Sequence, residues 1–172
     1  MIIPFTAHGW LNTAHGVLFG GGYIVLLVLA LVAVVWLRPT ELTPSGLQLG
    51  EREVGVTVAA ATAAAWVAVT TGTWGIYPWF RAAGPGSPAA VLLAHPSLAF
   101  WARWVIGSKL WVAWASVGCV TLAALAGYRW RRRLAAEGVL RRRLVGLLAA
   151  ALLGATYAGA VGALLAKLAP VR

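Results

Sequence analysis

Apolar residues dominate four long stretches of this chain, and polar or charged residues bound each stretch. The stretches run from Val17 to Leu37, Val54 to Trp74, Val105 to Tyr128 and Leu144 to Leu168. Each provides the roughly 20 mostly apolar residues that a helix needs to cross the hydrocarbon core of a bilayer. None alternates in the manner of a barrel strand, and backbone in lipid must satisfy its own hydrogen bonds. The pattern therefore predicts four transmembrane helices.

The composition indicates a lipid environment. Of the 172 residues, 61% are hydrophobic and only 10% are charged, and the mean hydropathy of +0.83 exceeds that of ordinary water-soluble domains. We expect an all-α integral membrane protein, a four-helix bundle forming a single membrane domain over residues 1–172. Residues 1–16 contain no Lys or Arg, so we predict that the first helix is not a cleaved signal peptide.

Much of the net charge of +10 lies in one connection between two apolar stretches. Residues 129–143 hold seven Arg and one Glu, and such an excess of positive charge marks a cytoplasmic loop. With four spans, residues 38–53 are then also cytoplasmic, while the N-terminus, residues 75–104 and the C-terminus lie outside. The sequence predicts a multi-pass protein of the cytoplasmic membrane, and nucleic-acid binding is not needed to explain its charge.

The outer loop between the second and third spans carries two helix-start signals. Ser87 followed by Pro88 has the form of an N-cap and a first helical residue, which predicts a short helix from Pro88 to Ala94 at the membrane interface. Pro96, directly after His95, is expected to open the third helix.

Small residues recur four apart in the first and last spans. They are Gly16 and Gly20 in the first span, and Gly154, Ala158 and Gly162 in the last. This spacing lets helix backbones approach closely in lipid, either within the bundle or against a partner subunit.

All three histidines fall on the predicted outer side. His8, Asn12 and His15 are spaced four and three apart, so they share one face if the first helix extends outward to about Phe5. His95 would lie at the start of the third helix, where the positive end of the helix dipole favours the neutral ring that a metal ligand must be.

Aromatic residues surround these histidines in the predicted topology. They are Trp10, Trp74, Tyr77, Trp79, Phe80, Phe100, Trp101 and Trp104. An aromatic belt at the level of the lipid headgroups is the simpler interpretation. The alternative is a flat hydrophobic ligand, a haem or a quinone, packed among these rings and in contact with Trp101 and Trp104.

Three basic residues lie on or just below the same side. Arg81, Arg103 and Lys109 have the chemistry to hold haem propionates or lipid phosphates. Alternatively, they extend their charged ends to the headgroups and have no specific ligand. Lys109 fits that alternative least well, because it lies several residues inside its span.

Other activities lack the residues they need. The chain has no Asp, and its four Glu fall in the predicted cytoplasmic loops, so no span carries the carboxylate typical of ion-coupled transporters. No outer carboxylate can orient a catalytic histidine, so we expect neither an autonomous enzyme nor a soluble substrate. A single cysteine, Cys119, excludes an intrachain disulfide and a paired-cysteine zinc site.

Two segments carry a family resemblance. The run from Gly72 to Arg81, GTWGIYPWFR, and the run from His95 to Trp101, HPSLAFW, resemble four-helix membrane proteins associated with bacterial respiratory complexes that handle haem b or quinone. The resemblance implies an electron-transfer subunit. Di-haem proteins of that kind hold each iron between histidines buried in facing spans, and no span here has a deep histidine. One haem near the outer surface, with His15 and His95 as axial ligands and His8 as a substitute, is what the resemblance allows.

Three hypotheses follow. The first is a mainly structural membrane subunit of a respiratory or electron-transfer complex, bound to other membrane subunits and lipids, with a single haem b or quinone site at its outer face. The second is a purely structural subunit without a cofactor. The third is an outer copper or zinc site built from the three histidines.

Overall fold

The computed structural model describes residues 7–37, 43–84 and 86–169. Within these residues the fold is all-helical, without strands. Four helices are long and apolar enough to cross a membrane: α1 (Ala7–Trp36), α2 (Pro44–Phe80), α4 (Trp101–Leu134) and α5 (Gly138–Leu168). Long apolar helices at the four predicted positions are confirmed, and each extends beyond its apolar stretch at one or both ends. The predicted outward extension of α1 as far as Phe5 lies outside the described residues.

The four long helices form a ring in which sequence neighbours are also spatial neighbours. Helix α1 packs on α2 and α5, and α4 packs on α2 and α5. The residues at the centre are mainly Ala, Val and Leu, which leave no polar group to satisfy and allow short distances between helices. Among the most buried are Leu27, Ala30, Ala61, Val120, Ala123, Leu148 and Ala151.

Helices α4 and α5 approach each other closely at Gly154. A Cβ atom built on Gly154 would lie 3.0 Å from the Ser116 Cβ, so a larger residue would force the helices apart. Ser116 uses this proximity to donate a hydrogen bond of 2.7 Å to the carbonyl of Ala151. Its hydroxyl also pairs with that of Tyr23 at 2.9 Å, which ties α1 to the same point. Gly154, one of the small residues of the last span, thus serves packing inside the bundle.

The two ends of the bundle differ in chemistry. One end, called the arginine end, contains the short connection from α4 to α5 and the seven Arg of residues 129–143. There Arg141 donates to the carbonyl oxygens of Leu37 and Ala135 at 3.1 and 3.2 Å. Arg141 therefore satisfies carbonyl groups that two helix ends leave free. The opposite end, where α1 begins, α2 ends, α4 begins and α5 ends, is called the histidine end here.

Three of the four long helices contain a widened, π-helical turn near the histidine end. These turns are Ala14–Gly21 in α1, Thr71–Ile76 in α2 and Trp101–Val105 in α4. In α2 the wide turn ends two residues before Pro78, which has no N–H and whose ring would clash with a carbonyl four residues earlier. Wide turns of this kind are rare and concentrate at functional sites.

A short helix, α3 (Pro88–Leu93), occupies the connection between α2 and α4. The Ser87 hydroxyl accepts a hydrogen bond from the Ala90 amide at 3.2 Å, so the N-cap has the geometry its sequence suggests. Helix α4 begins at Trp101 rather than at Pro96, because residues 96–98 form a turn, and the Leu98 and Ala99 amides donate to the His95 carbonyl.

Candidate functional site at the histidine end

An open groove lies between α4 and α5 in the half of the bundle nearest the histidine end. Its volume is about 610 Å³, within the range of small-molecule sites. Phe100, which directly precedes α4, and Trp101 and Trp104 of α4 form one wall, and small or branched residues of α5 form the other. The structure thus brings together the two tryptophans that the sequence assigns to a flat hydrophobic ligand.

Two hydroxyl groups provide the polar chemistry of this groove. The Ser108 and Tyr157 hydroxyl oxygens are 2.8 Å apart and belong to facing helices. Ser108 also lies 2.8 Å from the Val105 carbonyl, to which it can donate. Tyr157 then donates to Ser108, or turns its proton toward a ligand. Since hydroxyl groups both donate and accept, the pair can bind a ligand that accepts a hydrogen bond or one that donates it.

His15 lies in the contact between the wide turns of α1 and α2. Its Nδ1 is 3.0 Å from the Thr71 hydroxyl oxygen. That hydroxyl has one proton and donates it to the Val67 carbonyl at 2.7 Å, so it accepts from His15. A neutral His15 ring therefore carries its proton on Nδ1, which leaves Nε2 as an acceptor or ligand atom.

The absence of a side chain at Gly72 makes room for the His15 ring. A Cβ atom built on Gly72 would lie 2.8 Å from His15 Cε1 and 3.2 Å from Nε2. The ring is half-buried against the α2 backbone. Its orientation is thus set both by the Thr71 hydrogen bond and by the space above Gly72.

Lys109 lines a second, smaller cavity at the same end. The cavity has a volume of about 50 Å³ and is lined by residues of all five helices, with Asn12 and Trp79 among its walls. The Lys109 Nζ lies against Gly162, where an added Cβ would be only 2.9 Å away. Lys109 is also within electrostatic range of His15.

The other candidate residues lie at the surface. His8 stacks on Trp79 with ring centroids 5.2 Å apart, and His95 is exposed in the turn before α4. Arg81 is exposed and donates to the Tyr77 hydroxyl at 3.1 Å, and Arg103 is exposed on α4. His15 and Lys109 are thus the two candidates that reach toward the inside of the bundle.

The histidines do not form a metal site of three ligands. Among the described residues, which include all three, no group of three His, Cys, Asp or Glu side chains could hold a metal ion. The described residues therefore do not bring together the three ligands that the copper or zinc hypothesis requires. The pairing of His15 with His95 on one haem iron stays a prediction.

Large aromatic side chains are exposed near both ends of the bundle. Trp10, Trp74 and Trp104 are exposed toward the histidine end, and Trp36 and Tyr128 toward the arginine end. Two such zones are the pattern expected of aromatic belts at two membrane interfaces.

Sequence reasoning missed Thr71, Ser108 and Tyr157 as site residues. Each is a hydroxyl-bearing residue inside an otherwise apolar span. This feature could have identified them from the sequence, because polar groups in spans are costly and often functional.

Comparison of the chain with protein-family models, curated proteins and solved structures finds no match.

Proposed function

We propose that this protein is a mainly structural subunit of an electron-transfer complex in the cytoplasmic membrane, and that it binds a quinone in the groove between α4 and α5. The observation that carries the proposal is the combination of aromatic walls with the Ser108–Tyr157 hydroxyl pair. The family resemblance of residues 72–81 and 95–101 supports the same function.

The size and shape of the groove suit a quinone ring. A flat ring can stack on Trp101 or Trp104, and stacked aromatic pairs contribute about 0.5–1.5 kcal/mol beyond the burial of their area. The groove is open to the side of the bundle, so an isoprenoid chain can leave it into the lipid.

The hydroxyl pair suits both forms of such a ligand. A quinone carbonyl accepts a hydrogen bond from the Tyr157 hydroxyl, and a quinol hydroxyl donates one to Tyr157 or Ser108. The alternative occupants have less support, because a haem needs an axial ligand and no histidine lines this groove.

The test is binding of a short-chain ubiquinone analogue to the purified protein in detergent. Tyr157→Phe should weaken binding about fivefold, because one hydrogen bond contributes about 1 kcal/mol. Trp104→Leu should weaken it about two- to tenfold through lost stacking. The matched controls are Tyr128→Phe and Trp111→Leu, whose side chains are 83% and 77% exposed and line neither cavity.

Unchanged binding in both groove variants, or equal losses in the controls, would overturn the quinone site. A reduced-minus-oxidised visible spectrum of the same preparation separates the alternatives. A b-type haem band that disappears in His15→Ala would favour the haem hypothesis. A colourless protein that binds no quinone would leave the purely structural subunit.

The proposed orientation places the arginine end in the cytoplasm and the histidine end outside. It is supported by the seven Arg of residues 129–143. The test is labelling with a membrane-impermeant maleimide after Cys119→Ala. Ala83→Cys should react in intact cells and Ala136→Cys only after lysis, since both positions are exposed in the fold. The reverse pattern would contradict this orientation.

A further inference from the structure

Lys109 is a positive charge inside a helix long and apolar enough to cross a membrane. Its residue is half-buried, and its ammonium group lies at the α4–α5 contact against Gly162. A charge in such a place is costly unless a partner of opposite charge accompanies it.

No carboxylate of the described residues is available at this end. The chain has four Glu and no Asp, and all four Glu lie between residues 41 and 53 or at position 137. Those described among them belong to the arginine end, where Glu137 lies 3.9 Å from Arg133. A counter-charge for Lys109 can therefore be supplied by another molecule.

The cavity beside Lys109 limits what that molecule can insert. Its volume of about 50 Å³ exceeds the roughly 30 Å³ share of one water and is far below the roughly 300 Å³ of the smallest drug-sized sites. A compact anionic group fits, and a haem or quinone ring does not. Asn12 lines the same space and provides a neutral amide donor.

The walls of the cavity lead from Lys109 to the ends of the helices. Pro88 of α3, Phe80 at the end of α2 and Ala169 just after α5 also line it. Because helical side chains point toward the N-terminus, the Lys109 stem is directed toward the histidine end, where α4 begins. An anionic group at the membrane surface can therefore reach the ammonium.

We propose that this cavity binds a phosphate group, with Lys109 as the charged donor and Asn12 as the second donor. The phosphate comes either from an anionic phospholipid headgroup or from inorganic phosphate. This site is separate from the quinone groove, and neither proposal depends on the other.

The test is native mass spectrometry of the full-length protein in detergent, titrated with dioctanoyl phosphatidylglycerol. Dioctanoylglycerol, which has the same chains and no phosphate, controls for binding through the chains alone. Lys109→Met keeps the apolar stem and removes the charge, and should weaken phosphatidylglycerol binding at least tenfold. Lys167→Met is the matched control, because Lys167 is the other lysine of the chain and is exposed. This variant should bind phosphatidylglycerol as tightly as the wild type does.

A second variant keeps the charge and moves it. Gly162→Ala would place a Cβ atom 2.9 Å from Nζ, so the flexible lysine end must leave its position. This variant should also bind phosphatidylglycerol less tightly. It replaces Lys109→Met as the test if circular dichroism and gel filtration show that Lys109→Met does not fold.

Competition with inorganic phosphate identifies the source. Displacement of the lipid by millimolar phosphate would mean that the site accepts the free ion, and no displacement would mean that it recognises the headgroup; either supports the proposal. Equal binding by the wild type and both cavity variants would overturn it. So would an equal loss in Lys167→Met, or binding of dioctanoylglycerol that depends equally on Lys109.

Discussion

Gly154→Ala is expected to disturb a close contact between α4 and α5. The added Cβ would lie 3.0 Å from the Ser116 Cβ, 3.4 Å from the Val112 carbonyl oxygen and 3.5 Å from a Val112 methyl group. Backbone atoms and short branched side chains cannot swing aside, so the two helices must shift. Such overpacking costs about 1–3 kcal/mol, whereas Ala in place of Gly inside a helix gains up to about 1 kcal/mol.

Gly146→Ala isolates the packing effect, because it lies in the same helix and an added Cβ meets nothing within 4 Å. Both variants receive the helix gain, and only Gly154→Ala has the clash. We expect Gly154→Ala to be less stable than Gly146→Ala by about 1–3 kcal/mol. This corresponds to on the order of 3–9 °C in Tm, at roughly 3 °C per kcal/mol for a chain of this size.

The assay is thermal unfolding of both variants in the same detergent, followed by circular dichroism. The measured quantity is the difference between the two Tm values, which cancels effects common to any Gly→Ala change. Equal Tm values, to within about 1 °C, would refute the close approach of α4 and α5 at Gly154.

Two further predictions concern the polar contacts inside the bundle. Gly72→Ala should push the His15 ring off Thr71, since the new Cβ would lie 2.8 Å from Cε1. Losing this hydrogen bond should lower the free energy of unfolding by about 0.5–1.5 kcal/mol. Chemical shifts of the His15 ring nitrogens that match the wild type would contradict this prediction. Ser116→Ala should destabilise the fold by about 1 kcal/mol, because the Tyr23 hydroxyl loses its shorter hydrogen bond and keeps only the 3.4 Å bond to the backbone carbonyl of residue 116. Adding Tyr23→Phe should then cost less than it does in the wild type, and strictly additive unfolding free energies in that double-mutant cycle would disprove the shared hydrogen bond.

Much of the fold could be predicted from the sequence because spanning a membrane is a property of contiguous segments. Length and apolarity alone identify the four helices, and the alternation of direction places His8, His15 and His95 at one end. The short helix after Ser87 follows from a local N-cap signal of the same kind.

The site could be predicted only in part, because its contacts join distant segments. Ser108 and Tyr157 are 49 residues apart in sequence, and nothing local to either residue indicates the pair. The space that Gly162 leaves for Lys109 is likewise visible only once α4 and α5 are packed. The wide turns depend on the packing of neighbouring helices and on Pro78, so a hydrophobic pattern does not reveal them.

The surroundings of His15 and His95 could not be predicted from the sequence. Both residues lie at the predicted end of the bundle, yet His15 is half-buried between α1 and α2 whereas His95 is exposed in a turn. Topology fixes the end of the bundle on which a residue lies, and the rotation of each helix decides what it faces. The structure adds that rotation.

Photolabelling with an azido-quinone tests the central claim most directly. The purified protein in lipid nanodiscs is irradiated with the analogue, digested and mapped by mass spectrometry, with excess unlabelled quinone as competitor. We expect competable labelling within residues 100–108, at and just before the start of α4, and within residues 157–164 of α5, because these segments form the groove. Labelling spread along all lipid-facing helices, or not reduced by the competitor, would contradict the quinone site.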